Sequence, residues 1–348
     1  MTRPASPRLL RPRALRPGDL VVIAALSGPL PAAYEGNVEQ TVAVFERMGF
    51  RVRRAPLLDG RQRWWSAATP AEIAAELNGL LRDPEVRAIV ASDGGQTVFG
   101  YLDLIDLEAV RADPKPILGY SDISLLHLAL YARTGLVGFH ADMAVPGFGG
   151  QWPAVPAPRR AELESLYSRL LMDTEPIGAL PASSPGECWR AGRAEGRLIG
   201  GVINRIALVQ ATPYAVPLEW FDGAVLFWEE LGGQASYLWS YLQVMRHCGI
   251  LDRISGMVVG VPRDIAGLGS SGATPALSEI VLDVLGDRDI PVLGNVEFGH
   301  AGPNLPMPVG VRAGLDAGER TLSLLEPAVR PHRGSAPAPD LKRLLEPP

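Results

Sequence analysis

The sequence predicts an α/β protein, with a helix-flanked parallel sheet in its first half and a smaller α/β domain in its second. Three observations point there. From residue 20 to residue 134, apolar strand-like runs alternate with helical ones over short links, the pattern of a parallel sheet covered on both faces. Hydrophobic residues make up 47% of 348 residues, enough for a large core and, by length, about two domains. A stretch rich in proline and glycine, 146–185, interrupts the alternation, as an interdomain linker does.

The elements follow in order. Residues 20–26, LVVIAAL, are too short to span a bilayer and read as a buried strand. Residues 38–48 have helical spacing and stop at Gly49, a plausible C-terminal cap. Thr69, Pro70 and Glu72 occupy the N-cap, N1 and N3 positions of a helix running to about Leu81. Residues 88–91 are the next strand, directly followed by Gly94 and Gly95. Residues 116–120 are another, followed by Ser121 and a helix over 123–134. One helical run, 159–172, breaks the linker. A second part starts near Ala194. There GRLIGG (196–201) opens a helix-like stretch over 202–210, and 224–228 form a strictly apolar strand ended by Glu229 and Glu230. Residues 236–245 have helical periodicity, 256–261 and 290–293 read as strands, and 275–285 as the helix between them. His300 sits in the turn FGHAGP. The expected organisation is a flexible tail (1–17), an N-terminal domain (18–150), a linker (151–193), a C-terminal domain (194–330) and a disordered proline-rich tail (331–348). No internal repeat is visible.

Composition narrows the function classes. The net charge is −5, from 33 basic and 38 acidic residues, which calls for neither nucleic acid nor an anionic membrane. Five arginines fall in the first 16 residues, but no apolar segment of the signal-peptide kind follows them, so a frayed, solvated tail is expected. Cys188 and Cys248 have no metal or disulfide spacing, which fits reduced thiols and a cytoplasmic protein. Five scattered histidines offer no metal cluster.

Ser121 lies in LGYSDIS, between a strand and a helix, where a hydroxyl is exposed at the end of the sheet beside the N–H groups of the next turn. That suits a nucleophile. The same Ser-Asp pair also reads as an ordinary N-cap, since both side chains accept from free helix N–H groups. Glu229 and His300 likewise follow apolar strands. Together the three supply a nucleophile, a base and a carboxylate to orient it. The Asp122 N–H and the Gly94-Gly95 loop could form an oxyanion hole. Each has a plainer reading: Glu229 as a solvated strand end, His300 as a turn cap, Gly94-Gly95 as an ordinary loop.

The chain resembles the LD-carboxypeptidase family of serine peptidases over nearly all of residues 16–325. The matching stretches, in family order, are RPGDLVVIAALSGP (16–29), DGGQTVFGYLDLIDLEAV (93–110), PKPILGYSDISLLHLALYARTGLVGFH (114–140), GRLIGG (196–201), VLFWEEL (225–231) and PVLGNVEFGHAGPNLPMPVG (291–310). The resemblance implies that Ser121, in the G-[YF]-S-D motif, is the nucleophile, Glu229 orients the histidine and His300 is the base. It also implies an oxyanion hole from Asp122 and Gly94-Gly95. The implied fold has a flavodoxin- or amidotransferase-like N-terminal domain and a smaller C-terminal α/β domain of swivelling-β/α character. The implied assembly is a homodimer with no metal or organic cofactor, acting on a small peptide-like substrate.

Within the family, the wording of 114–136 and of the segment W-x₆-GRLIGG is similar to the microcin-C immunity peptidase branch, which cuts the amide between a terminal aspartate and a nucleotide-like group. There a tryptophan ahead of GRLIGG stacks on the base. Trp189 holds that position here, and also reads as a cover for the linker. This sequence departs from the family pattern at several places. Ala141-Asp142 replace Gly-Pro, Asp93 precedes the double glycine, Leu26 replaces a proline, Val202-Ile203 displace Asn204, and Glu230 replaces an aspartate. Asp93, Asp142, Glu230 and Asn204 are therefore candidates to line the substrate cleft, and the two aspartates would make it acidic, pointing to a basic or neutral substrate. The expected activity is cleavage of a C-terminal amide in a small peptide or peptidyl-nucleotide-like compound, in self-immunity or detoxification. The alternatives are a muropeptide LD-carboxypeptidase in peptidoglycan recycling, a biosynthetic acyl transferase, and a non-catalytic small-molecule binder.

Overall fold

The structure, a computed structural model, describes residues 8–59, 62–269 and 274–332. Its first sheet is built from β1 (Leu20–Ala24), β2 (Arg51–Arg54), β3 (Val86–Ala91), β4 (Ile117–Gly119) and β5 (Gly138–His140). They run parallel in the order 5-4-3-1-2, with α1 (Glu35–Arg47), α2 (Pro70–Arg82), α3 (Leu107–Ala112) and α4 (Ile123–Thr134) in the crossovers. β1 and β3 are buried at every position, as central parallel strands are. Thr69 and Glu72 form the expected capping box at the start of α2: Glu72 N–H donates to Thr69 Oγ1 at 3.2 Å, and Thr69 N–H to Glu72 Oε2 at 2.9 Å. β2 carries no apolar signal, because it is an edge strand of sequence RVRR. Its Arg53 and Arg54 pair with Asp83, Glu35 and Asp59, the charged finish that keeps an edge from pairing with another chain.

Two expected irregular segments are ordered instead. In the segment expected as a frayed tail, Ala14 and Leu15 are buried. Leu10 N–H donates to Gly135 O at 2.8 Å, Ala14 N–H to Arg330 O at 2.8 Å, and Arg13 pairs with Asp113 at 2.7 Å. Arg11 and Arg13 find carboxylates and the leucines pack on the core, so residues 8–17 do not fray. The tail expected over 331–348 lies, beyond His332, outside the described residues. The expected linker contains α5 (Ala157–Met172), whose Leu163, Leu166, Tyr167, Leu170 and Leu171 are buried, and two short strands, β6 (Gly178–Ala179) and β7 (Glu187–Arg190). These strands form the two edges of the second sheet.

That second sheet is completed by β8 (Arg193–Val202), β9 (Val225–Glu229), β10 (Gly256–Gly260) and β11 (Val292–Val296), and, after β12 (Met307–Val309), by β13 (Arg312–Asp316) and β14 (Thr321–Leu324). Its order is 6-14-13-8-9-10-11-7. Helices α6 (Ile203–Val209), α7 (Ala235–His247) and α8 (Leu277–Leu285) connect its strands. GRLIGG itself lies inside β8, and the helix expected after it over 202–210 is α6, which starts directly behind Val202. The first half of β8 alternates in burial against antiparallel β13, and its second half is buried throughout beside parallel β9. β12 leaves this sheet and pairs antiparallel with β5, extending the first one. No helix among the described residues is long and apolar enough to cross a membrane.

The capping box gives a direct stability test. Thr69→Ala removes one acceptor from the first turn of α2 and should cost about 1 kcal/mol, read as a lower urea midpoint with an unchanged slope.

Candidate active site

Ser121 stands at the bend between β4 and α4 with φ +59°, a left-handed conformation that is unfavourable for any residue with a Cβ. The bend is held by Ile123 N–H donating to Tyr120 O and Ser124 N–H donating to Ser121 O, both at 3.1 Å. Asp122 does not cap α4 with its side chain. Its buried carboxylate turns the other way: Oδ2 accepts from Ser27 Oγ at 2.6 Å, Thr97 N–H at 2.7 Å and Val98 N–H at 3.0 Å. The Ser-Asp pair is therefore not a helix cap. It fastens the loops after β1 and β3 to the bend that carries Ser121.

The double-glycine loop closes over this bend. A Cβ on Gly94 would fall 2.5 Å from Ser121 Oγ, so only glycine lets the loop lie against the serine. Gly94 O accepts from Gly28 N–H at 2.8 Å, and Gly94 N–H donates to Asp93 Oδ1 at 2.7 Å. Gly94 is thus a contact surface and its amide is already engaged. The N–H groups of Gly95 and Asp122 make no hydrogen bond among the described residues and are the two donors beside the serine. Burial raises the Asp93 carboxyl above its ordinary range, while Gly94 N–H and nearby His300 pull it back.

Glu229 ends β9 with no exposure to solvent, so it is not a solvated strand end. Its Oε2 is 2.7 Å from His300 Nδ1 and accepts from His300 N–H at 3.2 Å. A Cβ on Gly299, where φ is +101°, would come within 2.6 Å of the same oxygen, which explains the glycine in F-G-H. Tyr120, beside the serine, packs edge-on against His300 with ring centroids 4.9 Å apart. The serine, the imidazole and its carboxylate thus arrive from different sheets at one place. No hydrogen bond joins Ser121 Oγ to His300 among the described residues; such bonds commonly tighten only around substrate.

The other candidates serve mainly to hold this arrangement. Asp142 does not line the cleft: it is fully buried. Its carboxylate accepts from Trp152 Nε1 at 2.7 Å, Asn304 Nδ2 at 2.6 Å and Asn304 N–H at 3.0 Å, and burial lifts it to about 6. Asn304 Oδ1 in turn accepts from Gly299 N–H, so Asp142 props the histidine turn. Glu230 and Asn204 engage each other, with Asn204 Nδ2 donating to Glu230 Oε1 at 3.0 Å. Burial raises Glu230 to about 7, helped by Glu229. Trp189 rests on Gly294, and its Nε1 donates to Glu187 at 3.0 Å. It makes no hydrogen bond or ring contact with Ser121, Glu229 or His300 among the described residues.

Arg205, which sequence reasoning passed over, proves central. From α6 its Nε donates to Asp122 Oδ1 at 3.0 Å, and its Nη2 to Gly95 O at 3.1 Å and Gln96 Oε1 at 2.5 Å. The side chain is buried. One guanidinium therefore holds both the residue after the serine and the double-glycine loop. The available signal was the one charged residue of a mostly apolar helix, INRIALV, where a lone buried charge needs a partner.

Arg205→Ala leaves the Asp122 carboxylate buried without its cation and should destabilise the protein by about 3–5 kcal/mol, measured by chemical denaturation. Glu230 predicts a pH effect. Between pH 4.5, the ordinary glutamate value, and about 7, the folded state keeps a proton that the unfolded chain has lost. Stability should therefore fall as pH rises through that window, and Glu230→Gln should flatten the fall in melting temperature.

Comparison with known proteins is consistent along the chain. Residues 21–141 match the LD-carboxypeptidase N-terminal domain and residues 195–315 the LD-carboxypeptidase C-terminal domain. A putative carboxypeptidase of Streptomyces coelicolor is 32% identical over 92% of this chain and 98% of its own. The probable murein peptide carboxypeptidase of Bacillus subtilis is 28% identical over 89% of this chain and 93% of its own. The microcin C7 self-immunity protein MccF of Escherichia coli is 25% identical over 92% of this chain and 96% of its own. A solved structure of MccF in complex with aspartyl sulfamoyl adenosine has a TM-score of 0.80 at 23% identity, covering 92% of this chain and 99% of that one. With both domain signatures in order on a two-domain α/β frame, the chain belongs to the LD-carboxypeptidase family and is a hydrolase of the carboxypeptidase type.

Proposed function

We propose that the protein cleaves a C-terminal amide of a small peptide or peptidyl-nucleotide-like substrate through a Ser121–His300–Glu229 triad and an acyl-enzyme. The observation that carries this reading is the buried Glu229–His300 pair at 2.7 Å, set beside a strained serine. His300 takes the proton of Ser121 as Oγ attacks the amide carbonyl. The N–H groups of Gly95 and Asp122 receive the developing oxyanion. His300 then gives the proton to the leaving amine, and water, activated by the same imidazole, cleaves the ester and restores the serine. Glu229 holds Nδ1–H and stabilises the imidazolium. The kinship with the self-immunity protein supports a peptidyl-nucleotide-like substrate.

A second reading, removal of a terminal residue from a muropeptide, is supported by Arg263. Its Nη1 donates to His300 O at 3.1 Å; its Nε lies 3.4 Å from Asp264, but the side chain is 54% exposed, so the guanidinium can turn to receive a terminal carboxylate. The homodimer belongs to the same proposal and is checked by sedimentation velocity.

Fluorophosphonate labelling followed by intact-protein mass spectrometry tests the chemistry. A single adduct on Ser121 that disappears in His300→Ala is expected. Ser121→Ala and His300→Ala should each lower kcat by several orders of magnitude, about 10³ or more. Near-native turnover by Ser121→Ala would sink the mechanism. Parallel assays with an aminoacyl-nucleotide analogue and a muropeptide separate the two substrate readings.

A further inference from the structure

Asp93 and Arg263 flank the Tyr120–His300 ring pair from opposite sides. The Tyr120 hydroxyl is acted on by both, as well as by the buried Asp142 and Glu229. Arg263 stands on the histidine side, with Nη1 on His300 O. Asp93 stands on the serine side, in the loop after β3. It directly precedes Gly94, which is packed against Ser121, and its carboxylate also acts on His300.

The two oxygens of Asp93 differ. Oδ1 accepts from Gly94 N–H at 2.7 Å. Oδ2 makes no hydrogen bond among the described residues, and in the half-buried side chain it is not sealed from solvent. No lysine or arginine among the described residues pairs with this carboxylate. Arg205, which reaches the same loop, is spent on Asp122, Gly95 O and Gln96. A carboxylate held partly out of water without a cation is unfavourable, and burial raises its pKa accordingly. A ligand that brings the cation relieves that cost. The reaction geometry says which part of the substrate meets this oxygen. His300 hands its proton to the leaving amine, so the leaving group lies on the side of His300 and Arg263. The acyl group becomes esterified to Ser121, with its carbonyl oxygen at the N–H groups of Gly95 and Asp122. Asp93 adjoins the glycine packed on Ser121, so it faces the acyl residue. Asp142 is sealed in the interior, which leaves Asp93 alone in this task. The cleft therefore selects a single ammonium and not a basic substrate in general.

We propose that Asp93 is the specificity-determining residue for the acyl half of the substrate, its open carboxylate oxygen receiving a protonated amine on the residue that becomes esterified to Ser121. The proposal rests on the amide-cleavage reading above and gives the acyl residue its chemical class. Asp93 is one of the positions at which the sequence departs from the family pattern, so the preference is this chain's own.

Binding is measured by calorimetry in a Ser121→Ala background with two pairs of sulfamoyl adenosine analogues. Alanyl and N-acetyl-alanyl sulfamoyl adenosine differ at the α-amine. Nα-acetyl-lysyl and Nα-acetyl-norleucyl sulfamoyl adenosine differ at the side-chain amine. In at least one pair the amine-bearing member should bind about tenfold more tightly, the scale of a hydrogen bond between charged groups. The pair that shows the difference tells which amine is read. Asp93→Asn keeps an oxygen for Gly94 N–H and removes the charge, so the difference should vanish in that variant. In the active enzyme, the ratio of kcat/KM between the corresponding amides should fall by a similar factor. Raising the ionic strength should shrink the difference without any substitution at Asp93, which a steric effect of the acetyl group would not do, so this arm holds even where the variant misfolds. Equal affinity within both pairs overturns the proposal, as does a difference that Asp93→Asn or salt leaves intact, or failure to bind any of these analogues. If no amide is cleaved while the binding differences and their loss stand, the triad mechanism fails and the amine site survives.

Discussion

The ion pair between Asp122 and Arg205 is the constraint on which the rest of the site depends. Asp122 follows the serine on the first sheet, and Arg205 comes from a helix that follows β8 of the second. Because both are buried, neither can be solvated if the other withdraws, and the penalty for separating them is that of an unpaired charge in the interior. Asp122 spends its other oxygen on Ser27, Thr97 and Val98, while Arg205 also grips Gly95 O and Gln96. Two side chains thereby fix the position of two loops, those after β1 and β3, relative to the serine.

A second strut does for the histidine what this pair does for the serine. Asp142, after β5, anchors Asn304, which holds the amide of Gly299. β12 crosses to the first sheet in the same region. The His300 turn is therefore built on both sheets, and Glu229 orients its imidazole from β9. The aspartates expected to acidify a cleft divide accordingly. Asp93 remains half-buried beside the histidine and holds the Gly94 amide, while Asp142 is sealed inside. The acidity counted from sequence is thus largely structural, and it argues less strongly for a basic substrate than the composition suggested.

Two of the strained positions, Ser121 and Trp64, are held by these constraints. Ser121, at φ +59°, is tolerated because Gly94 gives it room and Asp122 pins the next residue. Trp64, at φ +55° in the turn 63–66, is tolerated because Ala67, at the foot of that turn, donates to Ser27 O. Backbone strain of this order persists only where neighbours over-determine the conformation.

Much of this was legible in the sequence, for a local reason. Helix α4 occupies the span its pattern predicted, and the Thr69 box formed, because periodicity and capping depend on residues a few positions apart. The family motifs placed Ser121, Glu229 and His300 at strand ends, and the strands they end were visible as apolar runs. Other features rest on distant pairing. β2 has no apolar run, because an edge strand needs none. β12 belongs to the sheet of the other half. The supposed linker supplies both edges of the second sheet, and the arginine-rich start is ordered by Asp113 and Arg330. Whether Asp122 capped its helix or gripped an arginine 83 residues away, and whether Asp142 faced a cleft or a core, depended on which groups burial brought together. The sequence by itself determined the elements, the family and the candidate residues. Only the tertiary structure decided which charges were sealed inside with a partner, because desolvation is a property of the packed interior and not of a chain segment.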